Sequence, residues 1–127
     1  MQYGISNLSI IPMRSEGADQ SEMVNQILFG EHFKILETRK KWSRIRLAHD
    51  SYEGWICNKQ WLNIPEEDYK QLDKDVSTIT TDILDIITKD HHQPIVIGSI
   101  LPFYKSGHAL INNEMYKFDG MTTPGFV

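Results

Sequence analysis

Cysteine occurs once in the 127 residues, at Cys57, so no internal disulfide can form and the fold must be held by its core alone. Basic excess is missing as well. Thirteen Lys and Arg face seventeen Asp and Glu, a net charge of −4, which leaves nothing to neutralise a run of phosphates and excludes nucleic acid as an expected partner. No apolar run is long enough for a bilayer. The uncharged stretch from Gln93 to Tyr104 falls well short of the ~20 residues that span one, so no membrane partner is expected. Residues 1–13 hold no Lys or Arg, and Arg14 follows the apolar Ile10-Ile11 pair, the reverse of a secretory signal. With Met1 as the native start the expected compartment is the cytoplasm; with Met1 an addition, it is the periplasm or the cell wall. Fixed-period repeats and low-complexity segments are absent, and 40% hydrophobic with 24% charged residues excludes disordered, collagen-like and coiled-coil chains. What remains is about one average domain, or two very small barrels sharing a seam.

The charge that is present is unevenly placed. Residues 1–63 carry a net +1 and residues 64–127 a net −5, with the change at Asn63-Ile64-Pro65, where Pro65 also disfavours helix in the residue before it. A boundary is expected there. Before it, Asn7–Arg14 is apolar and rich in β-branched residues, and Pro12 marks an edge or a bend. From Gly30 onward Phe33, Ile35 and Glu37 alternate with Lys34, Leu36 and Thr38, and Lys40-Lys41 makes a polar turn. Trp42–Leu47 alternates again, with Ile45 and Leu47 facing one way and Trp42, Arg44 and Arg46 the other. Asp50–Gly54 reads as a turn and Trp55-Ile56-Cys57 as a short strand. Strands this short, at this spacing, predict a small barrel. Met23, Ile27 and Leu28 suit a helix as well as a strand, so Ser21–Gly30 stays open between the two.

Beyond the boundary, Pro65–Lys74 predicts one short helix, with Glu66, Glu67 and Asp68 at its positive end and Lys70 and Lys74 toward the other. Thr78–Thr88 predicts a single strand, with Ile79, Thr81, Ile83 and Ile87 on one face. Pro94–Ile97, Ala109–Ile111 and Met115–Phe118 complete a second β group, and Asn112-Asn113 signals a hairpin turn.

Few residues carry chemistry. Cys57 has His49 eight residues before it as a conceivable base, but no helix N-terminus follows to lower the thiol pKa, so an inert strand cysteine is expected. His91 and His92 are neighbours that point to opposite strand faces, with no Cys or carboxylate at ligand spacing. Asp90–Gln93 therefore reads as a polar turn, and neither metal nor cofactor is expected. Tyr52, Trp55, Trp42 and Trp61 lie in or beside the turns. Ile45, Leu47 and Ile56 already fill the inward positions, so Trp42 and Trp55 should face at least partly outward. Aromatic side chains beside acidic ones make an amphipathic surface, and for Tyr52 and Trp55 contact site and scaffold both stay open, while Trp61 leans to scaffold. Tyr52 sits in a polar turn with no evident packing duty, the placement expected of a contact residue.

Gly54–Leu62 resembles the last strand, single helical turn and closing strand of SH3 barrels. Leu8–Arg14, Ser21–Val24, Leu28–Glu31 and Trp42–Leu47 resemble, in order, the blocks of the bacterial version of that barrel, over roughly residues 3–63. More narrowly, Ser21–Glu31 and Lys41–Arg46 resemble the N-terminal region of bacterial NlpC-family cysteine peptidases. Members with this layout carry one or two SH3-like barrels before a papain-like catalytic domain and cleave the γ-D-glutamyl to diamino-acid bond of peptidoglycan stem peptides. Pro94–Ser99 with Leu101-Pro102 resembles the second barrel.

The resemblance implies a mainly β fold: a bacterial SH3-like barrel over residues 1–63, a helical linker over 64–76, and a second, smaller or incomplete SH3-like β unit over 77–127. It also implies a non-catalytic module of a γ-D-glutamyl-L-diamino acid endopeptidase, with a papain-like domain in cis and a peptidoglycan-derived peptide as ligand. The family's Asp-Cys-Ser-Gly-like turn with a later His does not occur in these residues, so this chain is not itself expected to be an enzyme. In the family the barrel loops wall the catalytic cleft. Carried over, Tyr52 limits the pocket, and Glu16, among the loop acids Glu16, Asp19 and Glu22, pairs with a substrate α-ammonium; Trp55 is a substrate-contact candidate from the pattern of its strand. The competing readings are a free-standing SH3-like domain that grips extended, proline-rich peptides, and an enzyme using Cys57.

Overall fold

Short β-branched and aromatic runs separated by polar turns do form strands. The structure, a computed structural model, describes every residue except Asp19, Ile83, Phe126 and Val127, together with all side chains but those of Leu84 and Asp85 among the rest. Seven strands come first: β1 (Gln2–Ile5), β2 (Ile10–Arg14), β3 (Met23–Leu28), β4 (His32–Thr38), β5 (Trp42–Leu47), β6 (Glu53–Cys57) and β7 (Leu62–Ile64). They make one antiparallel sheet in the order β3-β2-β6-β5-β4-β1-β7. Segment 21–30, equally suited to helix and strand, is extended as β3, where Ile27 pairs with Ile11 and is wholly buried. The sheet curls around Ile11, Met13, Ile27, Phe33, Ile35, Ile45, Leu47 and Ile56. Trp61 packs edge-on against Phe33 at 6.1 Å, a scaffold position.

One expectation about β4 is corrected. Strict alternation would send Glu37 inward with Phe33 and Ile35. Instead a bulge falls between Ile35 and Glu37: Ile35 pairs with Ile45, Leu36 has no partner, and Glu37 pairs with Arg44. The extra residue turns the strand over by one step, so the carboxylate reaches the outer face and the core stays dry.

After Pro65, α1 (Glu66–Lys74) forms with an acidic first turn and Lys74 in its last, and it buries Tyr69 and Leu72. Then come β8 (Thr78–Thr80), β9 (Leu84–Thr88), β10 (His92–Val96), β11 (Ile100–Leu101), β12 (His108–Ile111), β13 (Glu114–Phe118) and β14 (Thr122–Pro124). They divide into a four-stranded sheet, β10-β9-β13-β12, and a three-stranded one, β11-β8-β14. The single strand expected over 78–88 is therefore two strands in different sheets. Asp82 makes the break: its Oδ2 accepts the Met121 N–H at 2.9 Å, while the Thr81 N–H donates to the Met121 carbonyl at 3.0 Å. Ile83, placed on that strand's face by pattern, lies outside the described residues. Asn112 and Asn113 both take positive φ, 51° and 64°, which is the left-handed pair that a tight β12–β13 hairpin requires. Among the described residues no helix is long and apolar enough to cross a membrane.

A second core lies where the two groups of strands meet. Ile5, Phe29 and Ile64 from the first sheet join Tyr69 and Leu72 of α1 and Ile87, Ile95, Leu101, Ala109, Ile111, Tyr116 and Phe118. Backbone groups cross the same seam: the Ile100 N–H donates to the Phe29 carbonyl at 2.8 Å, and Ser9 Oγ donates to the Pro94 carbonyl. Gly30, with φ of +82°, sits in the contact, and a Cβ there would lie on the Ile100 carbonyl group.

Candidate functional site

The outer face of β4, β5 and β6 is a lattice of arginine and glutamate around one tryptophan. Register puts Arg46 opposite Glu53, Arg44 opposite Trp55 and Trp42 opposite Cys57. Glu53 is shared: Arg44 Nη1 donates to its Oε1 at 3.0 Å and Arg46 Nε to its Oε2 at 3.0 Å. Glu37, delivered by the bulge, accepts from Arg39 Nε at 2.9 Å and lies 3.7 Å from Arg44 Nε. Each of these side chains is well exposed, so a single pair is worth at most about 1 kcal/mol; what the lattice supplies is a fixed arrangement of charge.

Trp55 faces outward but is not exposed. Only 8% of it reaches solvent. The Arg39 guanidinium lies over the ring at 4.2 Å, and the backbone of Gly17 closes on both tryptophans, a Cβ there falling 3.2 Å from Trp42 Cβ and 3.4 Å from the Trp55 ring. The expectation of a partly open Trp55 is corrected on that ground: Gly17 lies across it, and Trp55 is the floor beneath that part of the loop. Trp42 is half-buried in the same place.

The loop itself is braced by Ser21. Its Oγ donates within reach of the Glu16 and Ala18 carbonyls, at 2.9 and 2.8 Å, and the Ser15 N–H closes the neck on the Glu22 carbonyl at 2.8 Å. Arg14 Nη1 adds a bond to the Ser21 carbonyl at 3.3 Å. Glu16 is exposed, and its carboxylate has no hydrogen bond or ion pair among the described residues. Glu22 is exposed as well, and Asp19 lies outside the described residues.

Tyr52 is 39% exposed. Its turn is an Asx turn, with the Tyr52 N–H donating to Asp50 Oδ1 at 3.0 Å and Ser51 at φ 63°. The phenol reaches across to β3, where its hydroxyl donates to the Val24 carbonyl at 3.4 Å. Val24 is one residue inside the strand that leaves the loop, so turn and loop share an edge, Trp55 lies beneath, and Glu16 stands on the loop's first arm. Pattern alone singles out neither Arg39 nor the Ser21 hydroxyl. Arg39 belongs to a basic turn that reads as solvated, and only the three-dimensional approach to Trp55 shows its use.

The other candidates sit elsewhere. Cys57 is half-buried opposite Trp42, at the far end of the β5–β6 hairpin from the turn that carries His49, so the two do not meet. His92 pairs with Thr88 in register, its Nδ1 3.0 Å from Thr88 Oγ1, and His91 is in the turn before it.

That loop and turn fall inside a recognisable domain. Residues 13–60 match the family model of the bacterial dipeptidyl-peptidase SH3 domain. The chain also superposes on the crystal structure of a NlpC/P60 family protein from Bacillus cereus, with a TM-score of 0.71 over 97% of this chain, at 11% sequence identity. The chain spans 57% of the length of that protein. Likeness at this identity is likeness of fold. No curated protein matches the sequence.

Proposed function

We propose that this chain is a non-catalytic SH3-like module that selects peptide for a bacterial peptidase of the NlpC/P60 kind, with residues 1–63 as the first barrel, 64–76 as the helical connection and 77–127 as the second unit. A papain-like domain in cis supplies the cysteine chemistry, and the ligand is a peptidoglycan stem peptide, cut at its γ-D-glutamyl to diamino-acid bond. The observation that carries this reading is the unpaired Glu16 carboxylate, held on a loop that is braced by Ser21 and floored by Trp55, inside the segment that matches a dipeptidyl-peptidase SH3 domain. A carboxylate fixed in advance and left without a counter-charge suits the α-ammonium of a short peptide, because little ordering has to be done on binding. Tyr52 bounds the same edge and limits the room for the ligand beyond its first residue.

The test is an amide-shift titration of the whole chain with L-alanyl-γ-D-glutamyl-diaminopimelate, free or N-acetylated. Shifts at residues 15–22 and Tyr52 with the free peptide, at least tenfold weaker with the acetylated one and with Glu16→Gln, are expected. Equal response to both peptides, or a response only to a proline-rich peptide, overturns the assignment.

A further inference from the structure

Arginine occurs at four positions, and three of them are matched. Arg39 meets Glu37 at 2.9 Å, and Arg44 and Arg46 meet Glu53 at 3.0 and 2.9 Å. Arg14 is the exception. It is half-buried, yet among the described residues it forms no ion pair, and its side chain donates a single long bond, from Nη1 to the Ser21 carbonyl at 3.3 Å. A guanidinium has five N–H donors, and a cation taken partly out of water without a counter-charge is left uncompensated. Position gives that charge a use. Arg14 ends β2, opposite Met23 of β3 on one side and Trp55 of β6 on the other. Met13 before it is wholly buried, so Arg14 points to the outer face that Trp55 shares. Ser21 joins it to the peptide edge: the Ser21 carbonyl accepts from Arg14, while the Ser21 hydroxyl braces the Glu16 and Ala18 carbonyls. Tyr52 reaches the same place from β6, because Val24, whose carbonyl its hydroxyl meets, directly follows Met23.

The edge therefore presents two unmatched charges of opposite sign on one braced arm, the Arg14 guanidinium and the Glu16 carboxylate. Two residues apart, they stand at most about 7 Å from each other, Cα to Cα. A terminal ammonium and the α-carboxylate of the following residue have about the same reach, since they too are separated by two residues of chain. We infer that Arg14 is the second charged anchor of the peptide edge, its guanidinium taking a free carboxylate on the residue next to the ligand's ammonium end. The inference rests on the peptide reading above and narrows it to one substrate class: short peptides with a free amino end and an acid at the second position. A γ-linked glutamyl residue fits because its side-chain carboxyl is spent in the peptide bond and its α-carboxylate is left free. Two parallel N–H groups of the guanidinium can take that carboxylate in a fork, which fixes the second residue as well as the first.

The probes are L-alanyl-γ-D-glutamyl-diaminopimelate and the same tripeptide with its glutamyl α-carboxyl converted to the carboxamide, both with free amino ends. Each is titrated into the whole chain at constant ionic strength and followed by amide shifts. The carboxamide is expected to bind about tenfold or more weakly, the loss of one charge-assisted hydrogen-bonded pair. In Arg14→Gln the two peptides bind alike, and Arg14→Lys, which keeps the charge without the fork, recovers part of the preference. Urea unfolding checks that each variant is folded, and the comparison on the native chain needs no variant. Equal binding of acid and carboxamide by the native chain overturns the inference, as does an undiminished preference in folded Arg14→Gln. Failure of the Glu16 assignment looks different: free and N-acetylated peptides then bind alike while the preference for the acid remains, which removes Glu16 and keeps Arg14. No response to either peptide overturns both.

Discussion

Gly30→Ala is the most exacting perturbation of the seam. Two costs arise at once. The residue sits at φ +82°, where an alanine loses about 1 kcal/mol to conformation alone. The added carbon also falls 2.6 Å from the Ile100 carbonyl carbon, closer still to its oxygen, and backbone cannot rotate away as a side chain can. Either β11 retreats, losing the 2.8 Å bond from the Ile100 N–H to the Phe29 carbonyl at about 1 kcal/mol, or the core around Phe29 and Leu101 takes up overpacking strain of roughly 1–3 kcal/mol. The expected loss is about 2–4 kcal/mol. Gly98→Ala is the matched control: φ is +88°, but the nearest atom to an added carbon is Leu28 Cδ1 at 3.8 Å, so only the conformational cost of about 1 kcal/mol applies. Urea unfolding followed by tryptophan fluorescence measures both, and Ile100→Ala should not rescue Gly30→Ala because the obstacle is main chain. Equal losses at the two glycines would refute the close approach as the cause.

Trp55→Ala should cost about 3–5 kcal/mol and release the amides of residues 15–22 to faster hydrogen exchange, since the loop loses its floor. Tyr52→Ala should cost less than about 1 kcal/mol by the same urea assay, because the ring is 39% exposed and holds one long hydrogen bond. Stability should also depend on pH through His32. Burial holds its imidazole below the ordinary 6.5, with Asp73 opposing and Tyr69 packed against the ring. The unfolded chain therefore takes up the proton first, and the stability present above about pH 6.5 is lost as pH falls, by at most about 1.4 kcal/mol per pH unit for one proton. Glu31, raised by its own burial, acts in the opposite sense: its contribution is full below its ordinary 4.5 and is lost as pH rises through the folded value. Unfolding midpoints between pH 7.5 and 5.5 should fall in the native chain and flatten in His32→Gln; identical slopes would remove His32 from the account.

Pattern reaches what is local. Trp42–Leu47 is legible to the residue because arginine and aliphatic residues alternate without interruption, and Asn112-Asn113 because a two-residue turn writes its backbone demand into residue type. The helix after Pro65 is legible from its charges. Alternation misplaces Glu37 because a bulge leaves no mark on composition, and it misreads Thr78–Thr88 because the break depends on Met121, thirty-nine residues from the Asp82 that bonds it. Trp55 obeys the predicted face yet is covered, since alternation reports direction and says nothing of a loop folded over it. His32 carries no signal at all in sequence. It lines a pocket with Ala48, Asp73 and Ile100, residues from separate segments none of which carries a motif alone.

The division of the apolar residues into two clusters has a consequence for synthesis. Ile11 to Ile56 lie within the first half of the chain, so the inner cluster can close while the second half is still on the ribosome. Ile5, Phe29 and Ile64 cannot. Tyr69 and Leu72 of α1 reach them early, but the rest of their cover is Ile87 to Phe118, and until β13 emerges the nascent barrel carries a greasy flank only partly covered. Chaperone occupancy on stalled chains should therefore persist well past the length of the barrel and drop only once Phe118 has left the exit tunnel.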